Sequence, residues 1–273
     1  MMIDSCIKSA LESSSPFDCI LFDLDDTLYS SKTGIAQACK RNIDEFLVQK
    51  CGFSEDKATS LRVELFKTYG STLAGLRALG NDIDADDYHG FVHGRLPYEK
   101  IKPDPQLRNL LRSINQRKLI FTNSDRNHAV KVLERLGLQD CFEEIICFET
   151  LNPNLSKSSR PDEFPVVLKP SIEAMKIAIE AAHVDPRRTL FLDDNERNIA
   201  AGKAVALRTV LVGKTEKSTE GGYMVESVVH LPQVVPEIWM STRVAATGQG
   251  ADNKISRTRS DIDSMLKPTP VGA

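Results

Sequence analysis

Short apolar runs that end abruptly in polar clusters set the organisation of this chain. Cys19-Ile20-Leu21-Phe22 runs into Asp23, Leu119-Ile120-Phe121 into Thr122, Asn123 and Ser124, and Leu190-Phe191-Leu192 into Asp193, Asp194 and Asn195. Such runs predict strands buried on both faces, as in a parallel sheet. Between them the apolar period lengthens to that of a helix. Ala129, Leu133 and Leu136 recur ahead of a Gly137 stop, and Ile172, Met175, Ile179 and Ala182 line one predicted face. Ile145 to Phe148 predicts a further strand, and Arg208 to Val212 the last. Alternating β and α predicts an α/β fold with a doubly wound, mainly parallel sheet.

Residues 30–103 break that alternation. Ile35, Ala38, Ile43, Phe46 and Leu47 mark one amphipathic helix, and Ala58, Leu61, Leu65 and Tyr69 a second after a Ser54 N-cap. Leu73, Leu76 and Leu79 mark a third before Gly80, and Asp84 caps a fourth. The expected organisation is an N-terminal extension (1–16), a core from 17–29 and 104–243, an inserted helical cap (30–103) and a disordered tail (244–273). The tail holds Gly, Ala, Ser and Thr with mixed charges and no apolar period, although residues 261–266 leave room for a short helix. Residues 152–170, rich in Ser, Pro and charge, read as a long loop that delivers Lys169.

The polar clusters carry the candidate chemistry. Asp23-Leu24-Asp25-Asp26-Thr27 is a D-x-D-x-T pattern, and strand periodicity points Asp23 and Asp25 the same way at a strand exit. One carboxylate can attack as a nucleophile while the other handles protons, provided a cation offsets their repulsion. The plainer alternative is an acidic turn in which Asp26 and Thr27 cap the next segment. Thr122 and Asn123 offer a hydroxyl and an amide to phosphate oxygens, and Ser124 or Asp125 can cap the helix that follows. Asp193 and Asp194 are acids at another strand end, where open parallel sheets bind ligands. Lys169 can balance charge beside them and hold a transferring group. An all-oxygen site with few protein ligands suits Mg²⁺, with room left for waters and a phosphate oxygen.

Composition narrows the setting. The chain has 273 residues, 41% hydrophobic and 27% charged, enough for an α/β core plus an accessory domain. A net charge of −3 points to neither a nucleic-acid nor a membrane partner. No apolar run approaches the roughly 20 residues that span a bilayer, and the N-terminus, with Asp4 and Glu12, lacks the apolar core of a secretory signal. Cysteines 6, 19, 39, 51, 141 and 147 show neither C-x-x-C nor zinc-like Cys/His spacing. Scattered thiols suit a reducing compartment, so the expected location is cytoplasmic.

Taken in order, Asp23, Asp25, Thr122, Lys169, Asp193 and Asp194 resemble the haloacid dehalogenase-like hydrolase superfamily, with Asn198 matching a later asparagine. The resemblance implies that Asp23 becomes an aspartyl-phosphate. Asp25 would protonate the leaving oxygen and then activate water, with Thr122 and Lys169 on the phosphoryl group. It also implies Mg²⁺ held by Asp23, the backbone carbonyl of Asp25 and the Asp193/Asp194 pair, Asp194 being the direct ligand of the two. Caps in the superfamily close over the site, exclude water and choose the leaving group. Residues 23–34, 69–77 and 91–98 resemble the nucleotidase-like branch that contains pyrimidine nucleotidases and, in plants, phosphatases of xanthosine monophosphate.

That likeness implies a small-molecule nucleotide as substrate. Xanthine has a second ring carbonyl and an acidic ring nitrogen, so a cap selecting it calls for cations or paired donors. Lys32, Arg77 and Arg95 are candidates for those contacts, with Tyr69 or Tyr98 for stacking. Each has cap packing or solvent exposure as its alternative, and His93 and His128 are further candidates with structural roles as theirs. A pyrimidine or broad-specificity 5′-nucleotidase and a non-catalytic binding protein remain the alternative functions. A dehalogenase fits less well, since attack on carbon needs neither Asp25 nor a metal cluster.

Overall fold

The computed structural model describes residues 15–155, 165–214 and 222–240. Strands β1 (Cys19–Phe22), β2 (Arg117–Phe121), β3 (Glu144–Ile146), β4 (Thr189–Asp193), β5 (Arg208–Val212) and β6 (Tyr223–Val225) form one sheet. Its order is β3-β2-β1-β4-β5-β6, with every neighbouring pair parallel. The predicted doubly wound sheet is therefore present. Its strand order reverses direction between β1 and β4, the crevice where such sheets bind ligands.

Helices cover both faces. They are α1 (Ile35–Gln49), α2 (Glu55–Tyr69), α3 (Thr72–Ala78), α4 (Ala85–Val92), α5 (Pro105–Ser113), α6 (Arg126–Leu136), α7 (Phe148–Leu151), α8 (Ile172–Ala182), α9 (Glu196–Ala204) and α10 (Leu231–Val234). Because side chains alternate along a strand, Ile20 and Phe22 pack with α5, α6 and α10 on one face. Cys19 and Leu21 pack on the other with α8, α9 and the helices of the insertion, so Phe46, Leu47, Leu65 and Leu73 join the same apolar cluster as Phe121 and Phe191. The described residues belong to one compact unit.

Several boundaries differ from the sequence expectation for identifiable reasons. The predicted strand through Phe148 stops at Ile146, because Cys147 and Thr150 form a reciprocal cap that starts α7. Ile172 and Leu79 are 41% and 58% exposed and so do not belong to the buried stripes assigned to them. In α8 the buried stripe is Ala174, Met175, Ala178 and Ala182. Strand β6 is a three-residue edge too short to show a period. Residues 1–14, part of the loop 152–170, and the tail, including 261–266, lie outside the described residues.

Candidate active site

Register brings the polar clusters to one edge. Phe22 aligns with Ile120 on one side and Leu192 on the other, and the Asp23 amide donates to the Leu192 carbonyl at 2.9 Å. Asp23 and Asp193 therefore leave the sheet side by side. Both are buried, at 7% and 0% exposure.

Lys169 lies between them. Its ammonium donates to Asp23 Oδ1 and Asp193 Oδ2, both at 2.8 Å, and to the Phe121 carbonyl at 2.7 Å. Burial opposes its charge, but Asp193 and Asp23 override that and raise its pKa. Burial pushes the Asp23 carboxyl up, Lys169 pulls it down, and the nearby Asp193 charge adds to the rise. Asn123 fixes the lysine's backbone by donating to the Lys169 carbonyl at 2.9 Å and accepting from its amide at 2.8 Å. The Asn123 amide, expected on phosphate, thus clamps the lysine loop. Thr122, at 1% exposure, accepts from the Ser124 amide at 3.1 Å and lines the cavity.

Asp193 is immobilised. Asn198 donates to both its oxygens, at 2.9 and 3.1 Å, and the Asn195 amide donates to Oδ1 at 2.9 Å. Its neighbour Asp194 lines the cavity instead, where burial, then the charges of Asp193 and Asp26, push its carboxyl up to about 6. Oxygens of Asp23, Asp193 and Asp194 lie within 4.8 Å of one another. Asp26, held at φ 58°, has a buried Oδ1 with no hydrogen-bond partner. Three converging carboxylates, with the charge of Asp26 and its orphaned oxygen close to Asp194, make an oxygen donor set that fits a hard divalent cation.

Asp25 has a different environment. Its Oδ1 accepts from the Tyr29 hydroxyl at 2.6 Å and pairs with His128 Nε2 at 2.7 Å, and its Oδ2 accepts from Ser124 Oγ at 2.8 Å. Burial pushes this carboxyl up, but the charge and hydrogen bond of His128, with Tyr29 and Ser124, outweigh it and hold the group well below the usual carboxylate range. Burial likewise opposes a charge on His128, and Asp25 overrides it, so the imidazole pKa is raised. Tyr29 is not among the residues that the sequence singles out, and His128, a candidate there for substrate contact or a structural role, is bonded to Asp25. The usable signals were the i+4 spacing of Tyr29 from Asp25 and the place of His128 in the first turn after the Asp125 cap.

A cavity of about 670 Å³ opens from these residues toward α1, α2 and α4. None of the five base-contact candidates lines it. Lys32 sits in an exposed turn. Arg77, at 4% exposure, donates to the Ile83 carbonyl. Arg95 pairs with Glu45 at 2.6 Å and lies over Phe91. Tyr69 is exposed at the end of α2, and Tyr98 directs its hydroxyl to His128 Nδ1 and the His93 carbonyl, behind Asp25. His93 lines the cavity but is paired to Asp125. The cavity wall instead holds Lys40, Arg62, Val63, Phe66 and Lys67.

A three-layer α/β sheet with its acids and a buried lysine at the switch point defines a hydrolase of one particular class. Residues 17–206 match the haloacid dehalogenase-like hydrolase family, and the chain belongs to it. Among its relatives, Phosphate metabolism protein 8 of Saccharomyces cerevisiae is 25% identical over 247 residues, covering 82% of this chain and 74% of that protein. The N-acetylmuramic acid 6-phosphate phosphatase of Pseudomonas putida is 25% identical over 205 residues, 71% of this chain and 81% of its own. The fold is shared with a haloacid dehalogenase-type phosphatase from Thermococcus onnurineus, with a TM-score of 0.54, 17% identity and coverage of 80% of this chain and 97% of that one. Among the described residues no helix is long and apolar enough to cross a membrane.

Proposed function

We propose that this protein is a cytoplasmic, Mg²⁺-dependent phosphomonoesterase that hydrolyses a nucleoside 5′-monophosphate. The favoured substrate is xanthosine monophosphate, giving xanthosine and phosphate in purine nucleotide catabolism. The observation that carries the reading is the floor of the cavity. There Asp23 is ion-paired to Lys169, Asp25 stands two residues on with a separate set of donors, and a helical insertion covers the opening.

On this reading Asp23 attacks phosphorus, the bond to the ester oxygen breaks, and Asp25 passes to the leaving nucleoside oxygen the proton that the His128 imidazolium holds against it. Asp25 then takes a proton from water as that water attacks the aspartyl-phosphate, which releases phosphate and restores Asp23. Thr122 donates its hydroxyl to the phosphoryl group, and Lys169 sets its positive charge beside the phosphoryl oxygens. Asp23, the Asp25 backbone carbonyl and Asp194 would hold Mg²⁺, with Asp193 supporting them. When bound, the ion supplies positive charge against the phosphate and the acids. Residues 30–103 act as the cap over a core of 17–29 and 104–243. The name of the Pseudomonas relative supports phosphomonoester chemistry, and the base preference rests on the resemblance to the plant enzymes.

The test is phosphate release from purine and pyrimidine monophosphates and sugar phosphates, with and without chelator. Asp23→Asn should abolish turnover in a folded protein, and Asp25→Asn should lower it by roughly 10²-fold or more. Equal or better turnover of uridine or cytidine monophosphate would favour a pyrimidine nucleotidase. Release from no phosphomonoester would leave the binding-protein reading.

A further inference from the structure

The cavity has opposite characters at its two ends. Its floor carries the catalytic acids, whereas its far wall, formed by α1 and α2, carries cations beside an aromatic ring. Helix α2 buries Ala58, Leu61 and Leu65 and turns a second apolar stripe outward, leaving Val63 and Phe66 at 38% and 52% exposure. Large apolar side chains in water at the rim of a catalytic cavity mark a surface that a ligand covers.

The charged side chains that α1 and α2 contribute to the cavity lining, Lys40, Arg62 and Lys67, are all cationic, and the Lys40 charge also acts on Asp26. Arg62 is held by Asp44 at 2.7 Å through Nε. Among the described residues Lys40 and Lys67 form no ion pair, though both line the cavity. Gly70 ends α2 at φ 81°, and a Cβ there would lie 3.9 Å from the Lys169 carbonyl, so this wall returns directly to the catalytic lysine's loop. A flat ring carrying negative charge or carbonyl oxygens satisfies both features at once. An aliphatic sugar phosphate would leave Phe66 uncovered.

We propose that the α1–α2 wall is the subsite for the leaving group's base, with Phe66 as its stacking platform and Lys40 and Lys67 as the charges that read an anionic or dioxo base edge. The assignment rests on the nucleotidase reading and moves base recognition away from Lys32, Arg77, Arg95, Tyr69 and Tyr98. Stacking is sequence-tolerant because every base has a π-face. Phe66 therefore sets affinity for nucleotides as a class, while the lysines set preference among bases.

Two measurements test this. In turnover, Phe66→Ala should lower the ratio of kcat/KM for xanthosine monophosphate to that for ribose 5-phosphate by roughly 10-fold, mostly through KM, and Phe66→Tyr should restore it. Lys40→Met combined with Lys67→Met should reduce the preference for xanthosine over guanosine monophosphate by about 10-fold, as loss of a charge-assisted contact does. In calorimetry on the Asp23→Asn protein, Phe66→Ala should weaken binding of xanthosine monophosphate by a similar factor. Ratios unchanged in both assays would overturn the subsite. Binding that depends on Phe66 in a wild-type protein that hydrolyses no phosphomonoester would uphold the subsite and overturn the phosphatase reading instead.

Discussion

Replacing Lys169 by Met tests whether the ion pairs at the sheet edge are as demanding as their burial implies. The side chain is 1% exposed, and all three ammonium hydrogens are committed, to Asp23, Asp193 and the Phe121 carbonyl. Met fills much of the volume, so the loss is electrostatic. Removing one partner of a buried pair costs about 3–5 kcal/mol, because the remaining charge is left without compensation. Against a total stability of roughly 5–15 kcal/mol the variant should still fold. At about 2–4 °C per kcal/mol for a chain of this size, it should melt roughly 6–20 °C lower. The deficit should also depend on pH. Without the ammonium, burial and Asp193 raise the Asp23 carboxyl further above its ordinary 3.8, so the folded variant keeps a proton that the unfolded chain has lost. A carboxyl raised on folding gives stability that is present at low pH and lost as pH rises through its folded value. The deficit relative to wild type should therefore be larger near pH ~8 than near pH ~5. Urea unfolding in chelator at both values measures it. A deficit under about 1 kcal/mol at the higher pH, or one that grows on acidification, would refute the reasoning.

Other expectations follow from single contacts. His128→Ala should lower kcat by roughly 10-fold while KM stays within about twofold, since Asp25 loses one of its donors and the substrate loses none; an unchanged kcat would remove His128 from the chemistry. His89 is pushed down to about 4 from 6.5 by burial, then by His93, so the unfolded chain binds a proton across that interval and the folded one does not. Stability should fall as pH drops through the same window, by on the order of 1–3 kcal/mol more in wild type than in His89→Gln, as read by melting across acid buffers. Mg²⁺ at about 100 times its Kd should raise the melting temperature by roughly 5–10 °C. Asp194→Asn should lose most of that shift, and an equal shift in both proteins would take Asp194 out of the metal site.

What could be read from the sequence divides by distance along the chain. β1, β2 and β4 are local apolar runs, and Asp23, Asp193 and Asp194 follow them directly, so strand periodicity alone gathers them at one edge. Lys169 was legible by its place in an ordered series of motifs. The donors on Asp25 were not, because His128 is 103 positions away and is set by the docking of α6. Asn123 reaches across 46 positions to clamp Lys169, and no local pattern separates that from a phosphate contact. The cap residues that line the cavity were hidden for another reason. Residue type alone marks a cation or an aromatic ring, whereas which stripe of α2 faces the cavity depends on how it packs against α1 and α3. Gly75 shows how tight that packing is, since a Cβ there would lie 2.8 Å from Leu65.

The same side-chain type is given different work by its surroundings at this edge. Asp193 has both oxygens bonded, and its charge serves to hold Lys169 between itself and Asp23. Asp194 shares none of those bonds and faces the cavity, where burial and the charges of Asp193 and Asp26 raise its pKa. Asp23 meets a fixed ammonium on one oxygen and the Thr27 hydroxyl, at 2.9 Å, on the other. That leaves it oriented but desolvated, the condition in which a weak nucleophile reacts. Asp25 meets movable protons from Tyr29, Ser124 and His128 instead, which favour its charged form while keeping a proton within one hydrogen bond of it. Environments that push neighbouring acids apart in this way divide nucleophile from proton carrier. The division proposed for Asp23 and Asp25 therefore rests on their different partners as well as on their order in the motif.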